Sequence, residues 1–397
     1  WCFLIKLQII LSQMKVVFTT KYYWGNFLNK KIDISSKLVE IAGLGNSAWN
    51  EKVHQLILSV HETEKTKLLT SFDSPEIMRS LSECMDLVVI EVFKRTVGLN
   101  ANGIAVIAVG GFGRREMSFY SDVDLMFLMG KSYDPKNNYI SEILHVLWDF
   151  HLDIGYSSRT ISEALKLAKE DIESCTAMMD GRLLVGDEAV FSDFYEKLYL
   201  NVPNSLPEKL NRWRFQRIEN DSSVQLLEPN IKESPGALRD IQSLQWAIKS
   251  KMNSHCNEIR WVDFLEENDI ETIEKCWRFL SSIRLHLHAN FCRKRDVLDA
   301  DAKVQVSIAL GYEDSETELG VEFFMRDYYQ NARSVFQIVN LTFERFTRKR
   351  RVSARTMYLE HGLMSIDNEI VIKDGREYFS QNPLRMLKIF SLLQYYF

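Results

Sequence analysis

Two short apolar runs separated by a glycine pair constrain this chain most. IAVIAVGG (Ile104 to Gly111) ends in two glycines, ten residues follow, and Asp122 opens DVDLMFLM (Asp122 to Met129). Each run is short, apolar and β-rich, so each predicts a strand. The surroundings are helical. From Ser74 to Gly98, apolar side chains recur at three and four, with Ser74 as candidate cap, Pro75 at the first helical position and Gly98 closing the end. Ile140, Ile143, Leu144, Leu147 and Trp148 repeat the pattern between Tyr139 and His151. LDIGYSS (Leu152 to Ser158) then reads as a third strand, and Thr160 with Glu163 has the spacing of a capping box. Helix, strand, strand, helix, strand make an α/β unit.

Beyond Leu206 the character changes. Long amphipathic stretches cover 207–220, 238–252, 267–291 and 319–348, predicting a helical bundle. With only 7 Pro and 17 Gly in 397 residues, long helices and few loops are expected. The conspicuous interruption is LLEPNIKESPGALRDIQSLQW, a Pro/Gly-bearing loop entering a helix. Turn signals at Asp367-Asn368 and Asp374-Gly375 suggest a hairpin, and the sequence ends inside an amphipathic stretch, as a truncated chain would. The expected organisation is a poorly ordered segment over 1–40, an α/β domain over 41–205, a helical bundle over 206–350 and a connecting segment over 351–397.

Charge narrows the function classes. Lys and Arg number 49 against 54 Asp and Glu, a net charge of −5, which offers no broad footprint for nucleic acid. The six cysteines (Cys2, Cys84, Cys175, Cys256, Cys276, Cys292) form no CxxC pair, which argues against a zinc module or a secreted disulfide framework and for reduced thiols in the cytoplasm. The apolar opening, interrupted at Lys6 and Gln8, falls short of the roughly 20 residues a membrane span needs. No signal cleavage site follows it. The chain begins at Trp1, and Met14 is a candidate start.

Chemistry concentrates in AVGGFGRREMSFYSDVDLMFL. Residues two apart on a strand point the same way, so Asp122 and Asp124 present two carboxylates on one face, while Val123, Leu125 and Phe127 face the core. Paired hard oxygen ligands suit Mg2+ and leave positions for phosphate oxygens. Gly110 and Gly111 let backbone approach a triphosphate, and Ser121 offers a hydroxyl to it. Asp153, alone on the non-core face of the third strand, is the candidate third carboxylate of a two-metal site. A lone DxD or a lone glycine pair is common on solvated strands and turns; the joined spacing is far more specific.

The spacing GG-x10-DxD looks like the signature of the DNA polymerase β-like nucleotidyltransferases. More narrowly, GGFGRREMSFYSDVDLMFL resembles the catalytic segment of bacterial PII-protein uridylyltransferase/uridylyl-removing enzymes. LWDFHLDIGYSSRT is similar to that family's third-strand segment, MMDGRLLVGD to its helix after the sheet, LEPNIKESPGALRDIQSLQW to its loop entering the helical domain, and FMRDYYQNAR to its last bundle helix. The likeness runs in family order from about Val60 to Phe397. It implies an α+β fold: a mixed sheet with flanking helices, followed by an all-α bundle.

The implied reaction is transfer of UMP from UTP to a tyrosine of the nitrogen-regulatory PII protein, releasing pyrophosphate. By resemblance, Asp122, Asp124 and Asp153 hold two Mg2+ ions, and Gly110, Gly111, Arg114 and Ser121 bind the triphosphate. Arg159, Lys232 and Arg239 are further phosphate candidates, or else structural ion-pair partners of Asp240 or a nearby acid. Neither a nucleic acid nor a membrane is an implied partner. The alternatives are a related nucleotidyltransferase with another acceptor or nucleotide, and a degenerate nucleotide-binding module.

Three positions depart from the family pattern: Arg115 where it usually has Gly, Asn230 where it commonly has Asp, and Ala237 where it commonly has Gly. No histidine here is followed by aspartate, so the family's HD hydrolase and glutamine-sensing ACT domains are expected to be missing. His286 and His288 lie about 200° apart on a predicted helix, which favours packing over metal binding. The basic run Arg348 to Arg351 suits a helix end.

Overall fold

A computed structural model describes residues 33–70, 73–98, 103–134, 136–202, 205–220, 227–252, 259–347, 356–358, 363–366 and 369–372, with 382, 384, 385 and 389. It divides after Phe343: the described residues up to there form one compact unit, and those from Glu344 onward a second.

The first unit is built on a four-stranded mixed sheet in the order β3-β2-β1-β4. β1 (Ile104–Ala108) pairs antiparallel with β2 (Val123–Met129) and with β4 (Arg182–Gly186), while β2 runs parallel to β3 (Ile154–Thr160). Val123, Leu125 and Phe127 join one core with helices Asn46–Thr70, Ser74–Val97 and Tyr139–Asp149. The opposite side of β2 is closed as well, since Met126 and Leu128 are buried and helix Glu188–Asn201 packs on the sheet. β2 is therefore covered on both faces except at its ends, and at its start stand Asp122 and Asp124. The α+β class expected from sequence is the one observed.

Several local expectations are corrected. Asp73, not Ser74, holds the N-cap position of helix Ser74–Val97, because the Ser74 hydroxyl donates instead to the Arg278 carbonyl, 3.0 Å away. The segment MMDGRLLVGD is not a helix throughout. Helix Ile172–Met179 stops at Asp180, and Arg182–Gly186 is the edge strand β4, whose backbone pairs with β1. β3 starts at Ile154 rather than Leu152. Within the segment expected to lack order, Ile34–Ile41 is a helix whose cap, Asp33, accepts from the Ser36 amide at 3.1 Å. The capping box forms as read: Thr160 and Glu163 satisfy one another's backbone amides.

Helices Leu206–Asn220, Leu238–Met252, Glu267–Phe291 and Gly320–Thr347 appear where the apolar periodicity put them, joined by the short helix Ala300–Ala309. Arg214, fully buried, ties three of them. It donates to Asp240 at 3.0 and 3.1 Å and to Asn340 at 3.1 Å. Asp240 also accepts from the Gly236 amide at 2.9 Å, so this carboxylate fixes the loop that enters its own helix.

In the second unit, strands Thr356–Tyr358, Leu363–Ile366 and Glu369–Ile372 form an antiparallel sheet. The turns at Asp367-Asn368 and Asp374-Gly375, the basic run 348–351 and most of the final amphipathic stretch lie outside the described residues.

Candidate active site

A cleft of about 420 Å³ opens where the sheet meets the helical layer. One wall comes from the first strands. β1 ends at Ala108, and Gly110 turns with φ of 57°, a left-handed conformation that favours glycine. The Val109 amide donates to the Asp124 carbonyl at 3.0 Å, which holds the glycine turn beside the start of β2. A β-carbon on Gly110 would stand 3.6 Å from the Asp124 carboxylate. Gly110, Gly111, Ser121, Asp122 and Asp124 all line the cleft. Ser121 Oγ accepts from the Ser118 amide at 2.9 Å, which leaves its own proton available to an anion. Burial, and then the neighbouring Asp122 charge, push the Asp124 carboxyl above its ordinary range. Two co-facing acids in a partly dry site create a demand for positive charge.

The opposite wall is basic and comes from the helical layer. Lys232 lines it and makes no ion pair among the described residues. Burial, followed by the cations Arg239 and Arg284, lowers its pKa. Arg239 also lines the cleft, but its partner is Glu233 at 2.9 Å, not Asp240, whose buried counter-ion is Arg214. Arg217 shares Glu233 at 2.7 Å.

Arg114 reaches the cleft with its charge engaged. Its guanidinium contacts Asp180 and donates to Glu116 at 2.7 Å. Asp180, fully enclosed, also accepts from Trp246 Nε1 at 2.7 Å and Lys249 at 2.6 Å. Burial alone would raise the Asp180 carboxyl, but Arg114 and Lys249 outweigh it and hold it below its ordinary value. Glu116 in turn meets Gln242 at 3.3 Å, and Gln242 accepts from Arg239 at 2.8 Å. A continuous polar chain thus runs from the glycine turn to the loop at 230–238.

Two expected site residues stand apart. Asp153 lies one residue before β3, exposed and away from the cleft lining; its carbonyl, rather than its carboxylate, is engaged, accepting from the Val123 amide at 2.8 Å. Among the described residues, no group of three or more His, Cys, Asp or Glu is arranged to hold a metal ion. Arg159 sits on β3 beside Leu128, with a buried Nε that has no hydrogen-bond partner, and does not line the cleft.

The structure also adds residues that sequence reasoning missed. Lys294 Nζ donates to Asp122 across a separation of 172 residues. Glu116, Gln242 and Asp180 brace the cleft. No local pattern marks Lys294, Gln242 or Asp180, because each meets a partner distant in sequence, and Glu116, paired locally with Arg114, reaches Gln242 only through the fold. His288 faces Asp296 at 3.4 Å, whereas neither ring nitrogen of His286 has a partner.

Residues 205–343, the segment that supplies the basic wall, match the family model described as GlnD PII-uridylyltransferase. This segment belongs to the PII-uridylyltransferase family. The likeness extends over the sheet as well. The chain is 33% identical over 307 residues to a bifunctional uridylyltransferase/uridylyl-removing enzyme of Cereibacter sphaeroides, covering 73% of this chain and 33% of that protein. It is 30% identical over 284 residues to the enzyme of that description from Burkholderia lata, covering 70% and 33%. It is 28% identical over 349 residues to the one from Nitrosococcus oceani, covering 84% and 38%. The matched region spans about a third of the length of these relatives.

The three departures from the uridylyltransferase pattern have structural readings. Arg115 has φ of 60°, so it holds a left-handed position where glycine is unstrained. Asn230 Oδ1 accepts from the amides of Lys232 and Glu233 at 2.9 and 3.0 Å, a capping role that an aspartate would perform equally. Ala237 is fully buried, and its backbone needs no positive φ. No helix among the described residues is long and apolar enough to cross a membrane.

Proposed function

We infer that the chain is a uridylyltransferase that moves UMP from UTP to a tyrosine of the PII signal-transduction protein, releasing pyrophosphate. The carrying observation is one cleft in which the acid pair Asp122 and Asp124 faces Lys232, a half-buried cation that makes no ion pair among the described residues. Acids on one side and an unneutralised cation on the other suit a triphosphate approached by a hydroxyl nucleophile.

Asp122 and Asp124 fit Mg2+, because the acid pair is partly desolvated and an ammonium already stands on Asp122. Bound there, magnesium would draw charge from the triphosphate and favour ionisation of the attacking hydroxyl. The family reading uses two ions with Asp153 as third ligand, and the exposed position of Asp153 makes that carboxylate the part most in need of its own variant.

The chain's own groups carry the rest. Gly110 and Gly111 admit the phosphates close to backbone, Ser121 donates its hydroxyl proton to a phosphate oxygen, and Lys232 neutralises the departing pyrophosphate. Arg239, oriented by Glu233 and Gln242, adds a second cation at the same wall. Arg114 holds the glycine turn against Asp180 and Glu116.

The test is incubation of the purified chain with Mg2+, labelled UTP and PII protein. Label on a PII tyrosine supports the proposal. Label on another acceptor, or from ATP instead, points to a related nucleotidyltransferase. Nucleotide binding without pyrophosphate release identifies a degenerate module.

A further inference from the structure

Helix Glu267–Phe291 ends at Cys292 in a left-handed turn with φ of 49°, and the chain then runs beside the loop at 229–238. The two backbones are joined. The Ile231 amide donates to the Asp296 carbonyl at 2.7 Å, and the Leu298 amide donates to the Pro229 carbonyl at 2.9 Å. The Asp296 carboxylate is held by Arg284 at 2.8 Å, and the Arg295 guanidinium covers the Phe291 ring at 3.8 Å. Lys294 projects from this braced segment into the cleft, where its ammonium meets Asp122. Lys294 and Lys232 are therefore carried on joined strands of chain, one reaching the acid pair and the other left for phosphate.

We propose that Lys294 is a resident counter-ion of the acid pair: with the cleft empty of cation it neutralises Asp122, a divalent ion displaces it, and the freed ammonium turns to a phosphate oxygen of the incoming nucleotide. The inference rests on the assignment of Asp122 and Asp124 as cation ligands. Its physical basis is competition. Two like-charged acids in a partly buried site attract whichever cation can reach them, and Lys294 arrives tethered, at high effective concentration. A divalent ion carries twice the charge, so it prevails, though at an affinity reduced by the work of ejecting the ammonium. The side chain is half-exposed and flexible, so release needs no backbone movement.

Manganese binding to the full chain, measured by electron paramagnetic resonance or calorimetry without nucleotide, tests this. Lys294→Gln should tighten the manganese Kd about fivefold at low salt, with the gap narrowing as ionic strength rises. Amine acetylation read by mass spectrometry gives a second measurement. Lys294 in the native chain should become more reactive when manganese is added and less reactive again when UTP follows. In Asp122→Asn it should be reactive from the start and indifferent to manganese. An unchanged or weaker Kd in Lys294→Gln, or Lys294 reactivity unmoved by manganese in a chain that binds it, overturns the counter-ion role while leaving the cation site intact. Absence of manganese binding in both chains overturns the ligand assignment and this inference together.

Discussion

Gly155 lies beside Asp124 in the parallel register of β2 and β3, and a β-carbon at 155 would overlap the Asp124 carboxylate. The orientation of Asp124 thus depends on a missing side chain in the neighbouring strand. Gly155→Ala should be tolerated by the fold, because the atom it meets is the free end of the Asp124 side chain, yet lower the proposed uridylyl transfer at least about tenfold by turning Asp124 aside. Thermal denaturation beside an initial-rate assay checks both; full activity would show that Asp124 does not need its present orientation.

The same carboxylate predicts a trade of stability for activity. Burial and the Asp122 charge make the ionised form of Asp124 costly in the folded state. Asp124→Asn removes that cost, so its melting temperature should equal or exceed that of the native chain while the proposed uridylyl transfer falls by about a hundredfold or more. Asp122→Asn should likewise abolish transfer, with the fold intact by circular dichroism. Retained turnover in either variant would refute the ligand assignment.

Asp240→Asn probes the joint of the helical layer. Arg214 and Asp240 are both almost entirely buried and hydrogen-bonded to each other twice. Leaving the guanidinium without its carboxylate should cost about 3–5 kcal/mol. Urea midpoints report the loss, and a change below about 1 kcal/mol would mean that the pair is not the joint described.

Arg115→Gly should stabilise the protein. The left-handed backbone at φ of 60° costs a non-glycine residue about 1–2 kcal/mol, against about 0.5–1 kcal/mol for the extra unfolded-state freedom of glycine. The pairs lost with Glu83 and Asp86 are long, 3.9 and 3.6 Å, and contribute little. A rise in melting temperature for glycine, with none for Arg115→Ala, is the expected pattern.

His286 sets an acid limit. Burial pushes its pKa down from 6.5 to about 4, so the folded chain keeps it neutral where the unfolded chain protonates it. Between those values the unfolded state binds more protons, and stability must fall as pH drops from about 6.5 towards 4, by on the order of 3 kcal/mol from this residue. His286→Leu should remove that share of the slope, as measured by denaturation midpoints across the range. An identical slope in the variant would place the acid sensitivity elsewhere.

The acid wall was legible because its residues are close in sequence and strand alternation sets their direction. Gly110, Gly111, Asp122 and Asp124 could be placed from spacing alone, and the bundle helices from their apolar period. The missed pieces share one cause, which is distance along the chain. β4 is only five residues long and was hidden behind a helical segment. Of the acids open to Arg239 in sequence, Asp240 or a nearby one, the fold selects Glu233, because Asp240 is claimed by Arg214, which gives no local sign of being buried. Lys294 carries no local sign of its role, and only the fold brings it to Asp122.

The hydrogen bonds that join Ile231 to Asp296 and Pro229 to Leu298 make one mechanical piece of two distant stretches of sequence. Both lysines that face the acids ride on that piece, so they advance or retreat in unison. A small tilt at the far end of Glu267–Phe291 would change the positive field at Asp122 and Asp124 without altering a single carboxylate.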